Sequence, residues 1–324
     1  MNNKPFLLKP AAKDYLWGGS RLNDDFKFGI DCEPFAEAWV CSTHPDGCSN
    51  LTTGETLREV LKAHPEYIGT HASTVANGHF PILIKLIDAN KDLSVQVHPD
   101  DEYSLKHEAQ LGKTEFWYVL DSKKDSTLVY GFNRDVEAEE VRKAIEDDTV
   151  ENLLNHVPVK KNDLFFIESG TVHAIGAGCL VAEIQENSNV TYRLYDYDRV
   201  DKNGEQRELN IDKGLEVAKL NASAAPCQPM RVLRYRNGCA SELLCRCKYF
   251  QVERLLLNTE VNRELASFKT GENSFHALLC VDGCGIIVSD GFMLNFFKGD
   301  LIFVPADSIE MKLHGQAQIL DVSC

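Results

Sequence analysis

The chain has 324 residues, enough for two domains of about 100–200 residues each. Its hydrophobic fraction of 44% and charged fraction of 26% are those of an ordinary globular protein, which sets aside a disordered or fibrous chain. The net charge of −15 argues against nucleic acid or an anionic membrane as the main partner, and an anionic small substrate would need a local cluster of Lys and Arg.

The start, MNNKPFLLKPAAKDYLWGG, lacks the long apolar core of a secretion signal, and no stretch approaches 18 apolar residues. The 11 cysteines are odd in number and scattered, and the Cys245/Cys247 pair has no second pair to complete a zinc site. They read as reduced thiols of a cytoplasmic protein.

In chain order, the first 80 residues mix short strands with one helical stretch at about 55–70. There Leu57, Val60 and Leu61 take helical spacing and Pro65 and Gly69 close the segment. Residues 80–89, FPILIKLIDA, form a continuous apolar run that reads as a buried strand, with Lys85 inside it. A Lys there is snorkelling, paired or functional. The next strand, LSVQVHPDD, carries Ser94, Gln96 and His98 at a spacing of two, so all three share a face. Glu115 opens the β-rich run EFWYVL, and His173 follows the strand-like LFFIE.

Residues 134–156 read as the most helical segment, with Val136, Val141, Ile145, Leu153 and Leu154 as the apolar face and the acids as an exposed one. A short helix is expected at 211–220. The stretch 221–229, NASAAPCQP, reads as a linker. Beyond it the pattern is nearly all strand, with turns expected at Asp282-Gly283, Asp290-Gly291 and Gly299-Asp300.

A weak repeat runs through the chain. KNDLFFIESGTVHAI (161–175) lies over KGDLIFVPADSIEMK (298–312) without gaps, matching His173 with Glu310. TEFWYVLDS (114–122) lies over FHALLCVDG (275–283), matching Glu115 with His276. Two barrels of one ancestry are implied. The second should lack metal, with His276 and Glu310 as ordinary polar positions.

Two imidazoles, one carboxylate and one amide oxygen on three strands suit a zinc-type centre that keeps a position open. A lone strand histidine is equally readable as a hydrogen-bonded core residue, and this spacing is no local finger pattern.

The words LSVQVHPDDEYS, GKTEFWYV, SGTVHAIG and NVTYRLYDYDR occur in the order and spacing of the type I mannose-6-phosphate isomerases. Over essentially its whole length the chain resembles the short bacterial form of that family, within the cupin superfamily. The resemblance implies a mainly β fold of two cupin-type jelly-roll barrels with a helical insertion in the N-terminal half. Residues 1–225 would form the catalytic metal-binding domain and 230–324 a C-terminal barrel without metal.

It also implies one zinc ion per chain, held by Gln96, His98, Glu115 and His173. Short-form members are described with the two His and the Glu as ligands, which makes Gln96 the additional candidate. Arg193 is implied as an active-site residue. The reaction implied is interconversion of mannose 6-phosphate and fructose 6-phosphate, moving a proton between C1 and C2 through an enediol.

For the proton, Lys113 and Lys85 are the candidates, because a Lys beside a cation or in an apolar pocket gives up its proton more readily. Lys113 also reads as a plain loop lysine, and Lys85 as a structural partner of an acid such as Glu183. Arg193, Ser94 and Lys113 are candidates for binding the sugar phosphate. Arg193 also reads as a salt bridge within its acid-rich run, and Ser94 as a strand-end hydroxyl bonded to backbone. The rival readings are another metal cupin, such as an iron-dependent oxygenase, and a non-catalytic sugar-phosphate sensor. A monomer or homodimer, with no nucleic acid and no membrane, completes the expectation.

Overall fold

The structure is a computed structural model that describes residues 3–200, 203–224, 226, 228–262 and 264–324. Strands dominate it. A six-stranded antiparallel sheet has the order Leu164–Ile167, Glu115–Ser122, Cys179–Glu186, Ile82–Ala89, Glu37–Cys41, Ala11–Lys13. A five-stranded sheet faces it, in the order Leu154–Pro158, Thr127–Phe132, His173–Ile175, Val95–Val97, Tyr192–Tyr195. Trp117, Val119, Phe165, Ile175 and Val181 fill the space between them.

The period of two explains why the strand Ile82–Ala89 is apolar throughout. Ile82, Ile84 and Leu86 pack outward against the C-terminal half, beside Phe275, Phe303 and Val322. Ile87 and Ala89 pack inward, and Lys85 lies on that same inner face. All eight residues are buried.

The C-terminal half forms a ten-stranded sheet that takes in strands from the start of the chain. Phe6–Lys9 pairs with Leu301–Val304 on one side and with Asn50–Leu51 on the other. Strand pairing therefore crosses the division expected at 225–230. Of the expected linker, Ala225 and Cys227 lie outside the described residues. Gln228 is tied down: its side chain accepts from the Leu164 N–H and donates to the Leu164 carbonyl.

Three local expectations change. The helix of 134–156 is confined to Ala138–Glu146, then a 3-10 turn at Val150–Leu153 and a strand from Leu154. Asp148 adopts a positive φ of 58° and breaks the helix there, while Leu153 and Leu154 still bury their side chains. Asp282-Gly283 is not a turn. It sits inside the 14-residue strand His276–Ser289, where the register slips between Cys280 and Asp282 and Gly283 takes φ 79°. This is a bulge at Val281, followed by the left-handed Gly283, within one long strand. The helix Asp101–His107 was not expected. Asp100 caps it by accepting from the Tyr103 N–H, with acids in its first turn and Lys106 and His107 in its last.

The helix Leu57–Ala63 carries a reciprocal capping box between Thr56 and Glu59, and the other expected helix spans Ile211–Val217. Among the described residues no helix is long and apolar enough to cross a membrane.

Candidate metal centre

Glu115 opens its strand in the six-stranded sheet, and His173 opens its strand in the five-stranded sheet. His98 follows directly after Val95–Val97, with its backbone held by the Gly170 N–H donating to its carbonyl at 2.8 Å. The two sheets bring the three side chains to one point. One ligand atom from each lies within 4.8 Å of the others, and none of the three residues is more than 1% exposed.

The imidazoles are oriented by backbone. His98 Nδ1–H donates to the Val190 carbonyl and His173 Nδ1–H to the Thr171 carbonyl, both at 2.8 Å. These bonds select the tautomer whose Nε2 lone pair faces Glu115. His98 Nε2 is 3.4 Å from Glu115 Oε1, and His173 Nε2 is 3.6 Å from Glu115 Oε2. His173 Nε2 has no hydrogen-bond partner, and apart from the Lys113 ammonium no donor meets either Glu115 oxygen. Acceptor atoms buried without donors are costly, and a cation is the group that satisfies three at once. Neutral imidazole nitrogen and carboxylate oxygen are zinc donors, so the residues fit the ion.

The protonation states agree. Burial and the Lys113 charge push His98 down to about 3, against the pull of Glu115. Burial also lowers His173. Burial alone would raise Glu115, but the Lys113 ammonium at 2.7 Å prevails and holds it well below the usual carboxylate range. At neutral pH the cluster therefore presents two neutral imidazoles and one carboxylate, the forms that bind metal.

Lys113 reaches this point because its loop is pinned. Its N–H donates to the Pro99 carbonyl, the Gly112 N–H to Asp101 and the Thr114 N–H to Glu186. A Cβ on Gly112 would come within 2.5 Å of the Asp100 backbone, so only glycine permits the close approach. Lys113 is buried, with Nζ 2.7 Å from Glu115 Oε1 and donating to His98 Nε2 at 3.2 Å.

Beside the cluster opens a cavity of about 280 Å3, lined by Lys85, Ser94, Gln96, Lys113 and Arg193 among others. Gln96 is half-buried and pairs with both His173 and Arg193 across the sheet. Arg193 Nε–H donates to Ser94 Oγ at 3.3 Å, and its Nη1–H donates to the Glu208 carbonyl at 3.0 Å. Burial, then the neighbouring Arg207 charge, pulls its guanidinium below the ordinary value.

Lys85 shares the cavity but is not a depressed-pKa base. Its Nζ lies 3.0 Å from Glu183 and 3.7 Å from Glu37. Burial pulls its pKa down, yet the charges of Glu183, Glu37 and Glu115 outweigh that and raise it. Glu37 is in turn held by the Trp39 indole N–H and Glu183 by the Trp117 indole N–H.

The cavity also contains Tyr15, Trp17, Asn189, Thr191 and Arg207, none of which was singled out from the sequence. Thr191 lies in the same NVTYR word as Arg193, and Tyr15 and Trp17 in an aromatic cluster before Gly18-Gly19; those were the available signals. Arg207 gives no local signal. Its place is set by Asp196, which it and Arg199 both grip.

Residues 6–126 match the family described as phosphomannose isomerase type I, catalytic domain, and residues 241–324 match the cupin domain of mannose-6-phosphate isomerase. The chain is 38% identical to mannose-6-phosphate isomerase ManA of Bacillus subtilis, over 99% of each chain. It is 33% identical to mannose-6-phosphate isomerase of Streptococcus mutans, over 98% of this chain and 97% of the other. The crystal structure of mannose 6-phosphate isomerase from Bacillus subtilis superposes with a TM-score of 0.89 at 33% identity, over 99% of each chain.

Proposed function

Because the chain belongs to the type I phosphomannose isomerase family, we propose that it interconverts mannose 6-phosphate and fructose 6-phosphate at the His98–Glu115–His173 centre with one zinc ion. The observation that carries the site is the pair of imidazoles with Nδ1–H spent on backbone carbonyls and Nε2 turned to a buried carboxylate that meets no donor but Lys113, beside a cationic cavity.

In the open-chain aldose, removal of the C2 proton gives an enediol with a C1=C2 bond. Return of a proton to C1, with the hydroxyl proton passing from O2 to O1, leaves the carbonyl at C2 and completes the ketose. When bound, zinc supplies Lewis acidity that polarises the carbonyl oxygen and stabilises the negative charge developing on it. His98, Glu115 and His173 would hold it, with Gln96 as the candidate fourth donor.

Lys113 Nζ, lying against both the cluster and the cavity, takes the C2 proton as the neutral amine and returns it to C1. Lys85 stays an ammonium, fixed by Glu37 and Glu183, and orients substrate oxygens as a donor. Arg193, steadied by Ser94 and the Glu208 carbonyl, forms the fork for phosphate. Tyr15 and Trp17 narrow the cavity and limit water around the enediol. The described cysteines are all free thiols, which supports a cytoplasmic setting.

The test is a coupled isomerase assay on chelator-stripped protein, with metal analysis before and after zinc is restored. Turnover should vanish and return at one zinc per chain. Full turnover in the stripped protein would end this reading. Substrate that binds without turning over would leave the sensor reading.

A further inference from the structure

A second cavity, of about 330 Å3, opens in the C-terminal barrel. It is larger than the one beside the metal centre and within the size range of small-molecule sites. One of its lining residues, His276, is the position that the internal repeat matches to Glu115. Each is the first residue of its strand. His173 and Glu310 are matched likewise. In the first barrel His173 pairs with Gln96. In the second, Phe268 pairs with Met311 and Ser267 with Lys312, so one further step sets Lys269 opposite Glu310.

The faces differ from the first barrel, however: Ser267, Lys269 and Glu310 are exposed, while their neighbours Ala266, Phe268 and Met311 turn into the core. Ser267, Lys269, His276 and Glu310 all line the second cavity. The second barrel therefore presents charged groups at its open mouth and not in a buried cup. Among the described residues the group of three or more ligating side chains is His98, Glu115 and His173.

The new lining has a definite chemistry. On the floor, Glu253 and Asp321 are paired across neighbouring strands, and His276 Nδ1–H donates to Asp321 Oδ1 at 2.7 Å. Burial pulls the His276 pKa down, but Asp321 and then Glu253 outweigh it and hold the imidazole above its ordinary value. Its Nε2 has no hydrogen-bond partner among the described residues. Arg236, Lys269 and Lys312, whose Nζ lies 3.4 Å from Glu310 and donates to Ser267 at 2.6 Å, balance Glu253, Glu310 and Asp321. A balanced ring of donors and acceptors gives no strong preference for an anion or a metal. It matches a ligand that both donates and accepts at many points and carries no charge. The Phe268 ring, packed edge-on against His276 at 5.5 Å, supplies an apolar wall for a sugar face.

We propose that the mouth of the C-terminal barrel is a binding site for a free, uncharged hexose, separate from the metal centre. The site stands whatever the reaction at the first barrel.

The experiment uses the zinc-loaded full chain with D-mannose, D-glucose and inorganic phosphate as probes, read by calorimetry and by difference density in soaked crystals. A hexose should occupy the second cavity. Ser267→Trp, which fills the mouth, should weaken its binding by about tenfold or more, and Lys269→Ala, a milder change, should weaken it measurably. Turnover of mannose 6-phosphate should be unchanged in both variants. The proposal is overturned by hexose bound beside His98 alone, by hexose seen at crystal concentration only, by phosphate taken in its place, or by variants that bind the hexose as the parent does.

Discussion

One ammonium at Lys113 meets two competing demands. Its Nζ contacts Glu115 Oε1 and His98 Nε2, the same atoms that an ion would take. An ion held there would repel the ammonium and would turn the side chain into the cavity it already lines. Lys113→Met should therefore keep or gain zinc while kcat falls by roughly 10²–10⁴, the usual worth of a proton-transferring group. Metal analysis beside steady-state kinetics checks it, and near-normal kcat would remove Lys113 from the chemistry. Arg193 poses the opposite case. It contacts Ser94 and backbone but none of the three donors. Arg193→Ala should retain full zinc and raise KM for the sugar phosphate by roughly 10–100-fold, as expected for loss of a charge-assisted fork worth about 1.5–3 kcal/mol. Zinc loss in that variant would mean the arginine is structural. The residues legible in the sequence were those within compact words, where strand parity alone puts Ser94, Gln96 and His98 on one face. Arg207 and Trp17 reach the cavity through loops whose course depends on distant partners such as Asp196, and no local pattern records that.

At the scale of elements, the end of the strand Cys179–Glu186 meets the helix Asp101–His107 and the C-terminal Tyr249. Burial, then the Asp101 charge, pushes the Glu186 carboxyl up to about 8, against the Thr114 N–H that it accepts. Asp101 is lowered: burial opposes this, but the Gly112 N–H, Glu186 and Tyr249 prevail. The sign for Glu186 follows from linkage. The unfolded chain releases this proton near 4.5 and the folded chain near 8, so folding stability falls as pH rises between the two and the loss is complete above 8. For Asp101 the contribution is present at neutral pH and is lost only on strong acidification. Glu186→Gln keeps an acceptor for Thr114 and a donor for Asp101 but cannot ionise. It should match the parent near pH 5 and exceed its stability by on the order of 1–3 kcal/mol at pH 8.5, since a tenfold change in proton affinity is worth about 1.4 kcal/mol. Denaturant melts at the two pH values test this, and an identical offset at both would refute it. The element boundaries show where pattern stops informing. The apolar positions of 134–156 are buried as periodicity requires, yet Leu154 is buried as a strand residue. The break comes from Asp148 in a left-handed conformation, a backbone choice that side-chain periodicity does not encode.

Over the whole molecule the two barrels share one apolar wall. The outward residues of Ile82–Ala89 and its neighbours meet Leu244, Val252, Phe275, Leu279, Phe303 and Leu320 in a single cluster. Phe303 lies at its centre, fully buried, stacked on Phe275 at 5.3 Å and on Phe6 at 5.2 Å, with Phe80 at 6.1 Å. The Phe6–Lys9 strand stitches the start of the chain into the C-terminal sheet beside it. Tandem barrels on a string would melt separately. Here, the inner face of the six-stranded sheet carries Glu115 and Lys85, while its outer face needs the second barrel for cover. Neither half can open without uncovering the other. Phe303→Ala, in the wall on the outer face of the six-stranded sheet, should cost about 3–5 kcal/mol, as large-to-small changes at fully buried aromatics do. The whole chain should still unfold in one transition, with zinc released at the same temperature. Calorimetry with a zinc-sensitive dye reads both events at once. Two resolved transitions, with zinc held through the first, would show that the wall is a contact between independent domains and not a shared core.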